Sequence, residues 1–262
     1  MTCVYQGFQH DAYNDASIAY TLSDKKNRYI IALVSAWQPS GAVLPASLTY
    51  DGKTMVDHGD QPSADAKAKV GIQSYRVPSG DSGAKTITYT GSFTHTNHKG
   101  LVVIELYNCG GHRQFNSGTG GNVRLEAVGR TSVTVCIFRV GGKFAANVHA
   151  DGEQTAIVQQ GHDDVDNDYD NNYCAGYYNG GAPEVDHYWD TAGANAAAEF
   201  RAVLTGTQAI WLMFDRWNEF MKKLKAPHLG GDLMERGWAY MHPKIANIQA
   251  YELRPGRAVR VA

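Results

Sequence analysis

Arg28-Tyr29-Ile30-Ile31-Ala32-Leu33-Val34-Ser35-Ala36-Trp37 opens a series of short apolar segments that runs to Asn108 and decides the fold. A Pro-Ser-Gly break at Pro39 to Gly41 ends this first segment. Ser47-Leu48-Thr49-Tyr50, an Asp51-Gly52 pair and Lys53-Thr54-Met55-Val56 follow, then Val70 to Val77, Thr86 to Thr90 and Leu101 to Tyr107. Asp-Gly between two apolar runs predicts a tight hairpin, because both turn positions must tolerate positive φ. Pro78-Ser79-Gly80-Asp81-Ser82-Gly83 marks another turn. The segments are rich in β-branched and aromatic residues, and none carries a helical period of useful length. The stretch is expected to form half of an antiparallel sandwich.

Outward from this stretch the same style continues. Ser17 to Leu22 introduces it. Beyond Cys109 come candidate strands at Ser132 to Val140, Thr155 to Gln160, Asn172 to Tyr178, Ala198 to Leu204 and Ala209 to Phe214, with longer connections. The glycine cluster from Gly110 to Gly121 reads as a flexible connection and not as a boundary, because the later strands are expected to complete the sandwich. One β-sandwich domain over residues 1–215 is the resulting expectation, with a second part at 216–262.

That second part differs in kind. Trp217, Phe220, Met221 and Leu224 fall at i, i+3, i+4 and i+7, which predicts a helix with one apolar face. Lys222, Lys223 and Lys225 suit the negative end of its dipole, and Pro227 and Gly230-Gly231 stop it. Trp238, Tyr240, Met241, Ile245, Ile248, Tyr251 and Leu253 then make an arm too apolar for a solvated linker. The apolar stripe of the helix is expected to be a subunit contact.

Composition sets wide limits. With 43% hydrophobic and 19% charged residues, a sizeable core can form and disorder is not expected. The 24 basic and 26 acidic residues give a formal charge of −2, which offers no general attraction to nucleic acid or to a membrane surface. Cys3, Cys109, Cys136 and Cys174 form no C-x-x-C pair and read as buried thiols. The first residues lack a leader's basic and apolar regions, and no run is long enough to span a membrane.

The segments Arg28 to Ser35, Leu48 to Met55, Tyr75 to Gly80 and Lys85 to Thr90 resemble, in order and spacing, a β-sandwich family common in bacteriophage virion proteins and in some bacterial surface proteins. Gly152-Glu153-Gln154-Thr155 and Ala209 to Phe214 are shorter echoes of the same pattern. The resemblance covers about residues 17 to 215. It implies an all-β, jelly-roll or immunoglobulin-like sandwich in a structural or adhesive role, with no defined catalytic residues.

Gly80-Asp81-Ser82-Gly83 looks like the nucleophile loop of trypsin-like proteases. Ala84 stands where that loop needs glycine, and His58 lies in the wrong context, so the motif reads as a turn. His95 and His98, three apart in a connection, lack a third ligand for zinc. Asp164, Asp166, Asp168 and Asp170 alternate as calcium-loop carboxylates do, although Tyr169 and Ala175 occupy the positions where an EF-hand needs glycine and glutamate. A solvated acidic loop is one reading and a calcium site the other; no other cofactor is expected. Tyr188 and Trp189, at the end of a tyrosine cluster, are the candidate glycan-stacking pair.

The expected function is therefore that of a non-enzymatic virion structural protein of a phage, a capsid decoration or tail component that assembles through its C-terminal arm. Its partners would be itself and other virion proteins, not nucleic acid or membrane. The alternative is a carbohydrate- or receptor-binding module that meets a host-surface glycan.

Overall fold

The computed structural model describes residues 2–10, 17–38, 41–42, 44, 47–90, 99–140, 150–152, 154–160, 173–180, 184–189, 191–203, 251–254 and 257–260. The chain divides into two compact units, Met1–Val203 and Leu204–Ala262. Every strand pairing in both is antiparallel, and no helix occurs among the described residues.

In the first unit the strands are β1 (Val4–His10), β2 (Ser17–Leu22), β3 (Tyr29–Trp37), β4 (Ser47–Tyr50), β5 (Lys53–Thr54), β6 (Val56–Pro62), β7 (Ala68–Arg76), β8 (Gly83–Thr90) and β9 (Lys99–Tyr107). They continue with β10 (Cys109–Gly118), β11 (Asn122–Glu126), β12 (Val133–Arg139), β13 (Ala150–Gly152), β14 (Thr155–Gln160), β15 (Tyr173–Asn179), β16 (Glu184–Trp189) and β17 (Ala194–Ala202). In the second unit, β18 (Tyr251–Arg254) and β19 (Arg257–Arg260) form a hairpin. The helix expected around Trp217 and the strand expected at Ala209 to Phe214 lie outside the described residues.

Four sheets stack in the first unit. An inner sheet, β1-β9-β3-β7-β6, faces a second inner sheet, β10-β17-β12-β15-β14. The outer sheet β2-β8-β4-β5 covers the free face of the first, and β11-β16-β13 covers the free face of the second. Side-chain alternation explains the stacking. Along β3, Ile31 and Leu33 enter the core between the inner sheets, while Ile30, Ala32 and Val34 enter the core under the outer sheet. Along β12, Val133, Val135 and Ile137 take the first direction, and Cys136 and Phe138 the second. A strand covered on both faces has no polar side, which is why Tyr29 to Trp37 reads as an unbroken apolar run. The outer strands β2 and β11 bury only every second residue.

Residues 28 to 108 are thus not half of one sandwich. Together with β1 and β2 they build two complete sheets of their own. What the later strands supply is the cover for the second face of the first inner sheet.

Strand order shows why. Replacing β1, β9, β3, β7 and β6 by β10, β17, β12, β15 and β14 turns one inner sheet into the other. Replacing β2, β8 and β4 by β11, β16 and β13 does the same for the outer sheets. Chain order is preserved, and among the described residues only β5 lacks a counterpart. The match extends to irregularities. The first strand of each copy bulges opposite the same ladder position, between Tyr5 and Gly7 and between His112 and Gln114. The edge strands β6 and β14 do so between Asp57 and Gly59 and between Ala156 and Val158. A β-bulge redirects a strand, and its recurrence at matched positions marks a shared device. Gly59, with φ +137°, lets this turn of backbone approach Phe115, whose ring leaves no room for a Cβ.

The two copies are related as partners in a symmetric dimer. Cys3 N donates to Thr131 O at 2.8 Å, and Cys109 N donates to Asn27 O at 2.9 Å. Each bond joins the head of one copy's first strand to the loop before the other copy's third strand. Such reciprocity is the signature of a two-fold contact. The Cys3 and Cys109 thiols meet there; this contact and burial push the Cys3 thiol well above its usual pKa. The Asp51-Gly52 hairpin forms as expected, with φ of 46° and 75°.

Two outcomes are expected. Phe200 is fully buried between the copies, against the rings of Tyr29, His58 and His112. Phe200→Ala should lower the unfolding free energy by roughly 3–5 kcal/mol, read from the urea midpoint. All four cysteines are buried and free, so a disulfide-exchange reagent at neutral pH should modify none in the folded protein and all four after unfolding.

Candidate functional site

Each copy carries one buried glutamate at the same register position. Glu105 on β9 lies opposite Ile30 on β3, and Glu199 on β17 lies opposite Thr134 on β12. Both are fully buried, and a buried carboxylate must be met by donors. The donors come from the loop between the second and third strands. Ser23 offers its N–H at 3.1 Å and its hydroxyl at 2.7 Å to Glu105. Gly129 N at 2.9 Å and Ser132 Oγ at 2.6 Å bond Glu199, joined by Gln114 Nε2 at 2.6 Å and Arg113 Nη1 at 3.0 Å. Burial would raise the Glu199 pKa, and these donors reverse that and hold it below the usual value. The glutamates are anchors for the loops.

The anchored loop of the first copy forms one wall of a cleft of about 700 Å³, lined by 23–28 and by the turn 76–82. Pairing of β2 with β8 brings the walls together, since Leu22 lies opposite Gly83. Arg28, 5% exposed, clamps them: its guanidinium donates to Ser23 O in its own loop and to Asp81 O in the facing turn. Val77 N adds a bond to Arg28 O at 3.0 Å. Asp81 accepts a hydrogen bond from Tyr50 at 3.1 Å and pairs with Lys85 at 2.6 Å, and the lysine holds its carboxyl below the ordinary range. Within this fixed frame Lys25, Lys26 and Arg76 are exposed. The Gly80-Asp81-Ser82-Gly83 segment is a turn, as its sequence predicts, and is the second wall of the cleft.

The expected glycan pair divides. Tyr188 is exposed, and its hydroxyl donates to Asp186 at 3.1 Å, beside the Arg124–Asp186 ion pair. Trp189 is buried, with its ring stacked on Phe138 at 4.9 Å under the second outer sheet. Period-2 alternation within β16 sends the two rings to opposite faces, so they cannot form one platform. Of the other tyrosines in the cluster, Tyr173 is fully buried, and Tyr177 stacks on Tyr5 at 4.0 Å between the two copies. Asp164, Asp166, Asp168 and Asp170, the stripe Trp217, Phe220, Met221 and Leu224, and His95 and His98 all lie outside the described residues. Among the described residues no group of three or more His, Cys, Asp or Glu converges as metal ligands would.

The cleft was not visible along the chain. Lys25-Lys26 and Arg76 are far apart in sequence, and the β3–β7 pairing, which sets Arg76 opposite Tyr29, and the β2–β8 pairing join them. The one local signal was the basic Lys25-Lys26-Asn27-Arg28 run directly before the apolar strand.

Two histidines are held neutral. His187, fully buried, meets Thr134 Oγ1 through Nε2 and Gln154 Oε1 through Nδ1, each at 3.0 Å, which fits Nδ1–H as the donor. Burial brings its pKa down to about 4. His58 bonds Ser74 at 2.7 Å and stacks on His112 at 3.8 Å; burial first, and the second imidazole after it, bring it to about 4.

Comparison with known protein families, with curated proteins and with solved structures gave no match.

The histidines predict an acid-labile fold. Unfolded, each takes up a proton near pH 6.5; folded, only near pH 4. Their stabilisation is complete above pH 6.5 and is lost as pH falls toward 4, by about 3 kcal/mol for buried His187 alone. Urea midpoints measured from pH 8 to pH 4 should be level at first and then decline. A midpoint that rises below pH 6.5 would contradict the neutral state.

Proposed function

We propose that this chain is a non-enzymatic structural protein of a bacteriophage particle, in which the 1–203 stack is a rigid building block and the 204–262 unit makes the assembly contacts. The observation that carries the reading is the paired route of the chain through the sheets. Successive strands of each copy alternate between inner and outer sheet, apart from the β4–β5, β6–β7 and β14–β15 hairpins. Such a path fits a jelly roll better than an immunoglobulin fold, whose first strands pair within one sheet. Jelly rolls serve widely in viral shells and in lectins, so the fold supports a role in building or adhesion without dictating it. Joining two copies through a shared core gives a stiff, inextensible module, as a load-carrying particle part requires.

The second unit supports the assembly role through its sequence. Trp217, Phe220, Met221 and Leu224 form the apolar stripe described above, on a segment that belongs to the second unit.

The test is the association state. The full chain should form defined oligomers at micromolar concentration, by light scattering. Trp217→Ser with Leu224→Ser should abolish them while leaving the main thermal transition in place. A chain that stays monomeric at high concentration, with the double variant indistinguishable from it, would refute the assembly role.

A further inference from the structure

The two copies act as controls for each other. The loop between second and third strands has the same length in both, residues 23–28 and 127–132. It does the same work in both, bonding a buried glutamate. Its composition differs. The second copy reads Ala127-Val128-Gly129-Arg130-Thr131-Ser132, with one cation; the first reads Ser23-Asp24-Lys25-Lys26-Asn27-Arg28, with three. The fold therefore does not demand the additional charge. Arg28 is occupied in clamping the walls, and Lys25 lies over the Tyr107 ring at 6.0 Å; Lys26 and Arg76 are exposed and take no part in the clamp. Lys25 lies 3.7 Å from Asp24, whose side chain is 94% exposed, and a pair so open to water contributes little.

We propose that this cleft binds an acidic saccharide, its carboxylate or sulfate received by Lys26 and Arg76 and its hydroxyls by Ser79, Ser82 and Asp24. Three features select this class. The volume of about 700 Å³ is far more than a lone oxyanion fills and suits one or two sugar rings. Donors and acceptors are interleaved along the walls, as neighbouring hydroxyls require. Among the described residues none that lines the cleft is aromatic, so nucleic-acid bases would find no ring there on which to stack. The clamp by Arg28 and the Tyr50–Asp81–Lys85 contacts fix the walls before any ligand arrives, which lowers the entropy lost on binding. The site lies on the first unit alone and does not depend on the virion reading.

Calorimetric titration of the full chain tests it, with sialyllactose and a glucuronate disaccharide as probes, and neutral lactose and inorganic phosphate as references. At least one acidic sugar should bind at millimolar concentration or better, and lactose about tenfold more weakly or not at all. Arg76→Ala and Lys26→Ala should each weaken binding about tenfold with an unchanged melting temperature. Arg130→Ala, at the matching loop of the second copy, should change nothing. Absence of acidic-sugar binding, equal binding of lactose, phosphate binding as tightly as the sugars, or an equal loss in Arg130→Ala would each overturn the proposal.

Discussion

The apolar layer between the two inner sheets is the constraint on which the rest of the molecule depends. It takes Ile31, Leu33, Val70, Ile72, Val102 and Ile104 from one copy and Val133, Val135, Ile137, Ala196, Ala198 and Phe200 from the other. Neither copy can leave this face to water, because apolar area of this size is what drives folding. Each inner sheet must then be apolar on both sides, each needs an outer sheet as well, and a four-layer stack results. The alanines of β17 and the close-approach glycines are consequences: two sheets pack tightly only where side chains are short enough to interleave.

Polar groups inside the stack are arranged around that layer. Glu105 and Glu199 each fasten a loop at the shared end of the two copies, and the reciprocal bonds of Cys3 and Cys109 fasten the loops across the pseudo-two-fold. His187, Thr134 and Gln154 form a neutral set whose hydrogen bonds are satisfied without a charge. His58 and His112 bring two imidazoles together near the edge of the shared layer, which ties its integrity to pH. The loops at this end are therefore well held, and a cleft bounded by one of them is a fixed shape on which recognition can be built.

Much of the architecture was legible in the chain. The strands at Tyr29 to Trp37, Thr155 to Gln160 and Tyr173 to Tyr178, and the Asp51-Gly52 turn, follow from propensity and turn chemistry. The Gly152-Glu153-Gln154-Thr155 echo was there as well. Its meaning, a second copy of the whole unit, was not, because the copies share pairing registers and bulges more than residues. Trp189 shows the same limit on a smaller scale. An aromatic residue in an alternating strand faces either solvent or core, and the face is fixed by what packs above it.

The sequence by itself determined that the first unit is built of antiparallel strands, since β-branched runs, turn residues and their spacing act locally. Only the tertiary structure decided how many sandwiches those strands make, which copy covers which, and that Lys26 and Arg76 share a cleft. Those are matters of pairing between distant segments, set by the burial of whole sheet faces, and no local pattern encodes them.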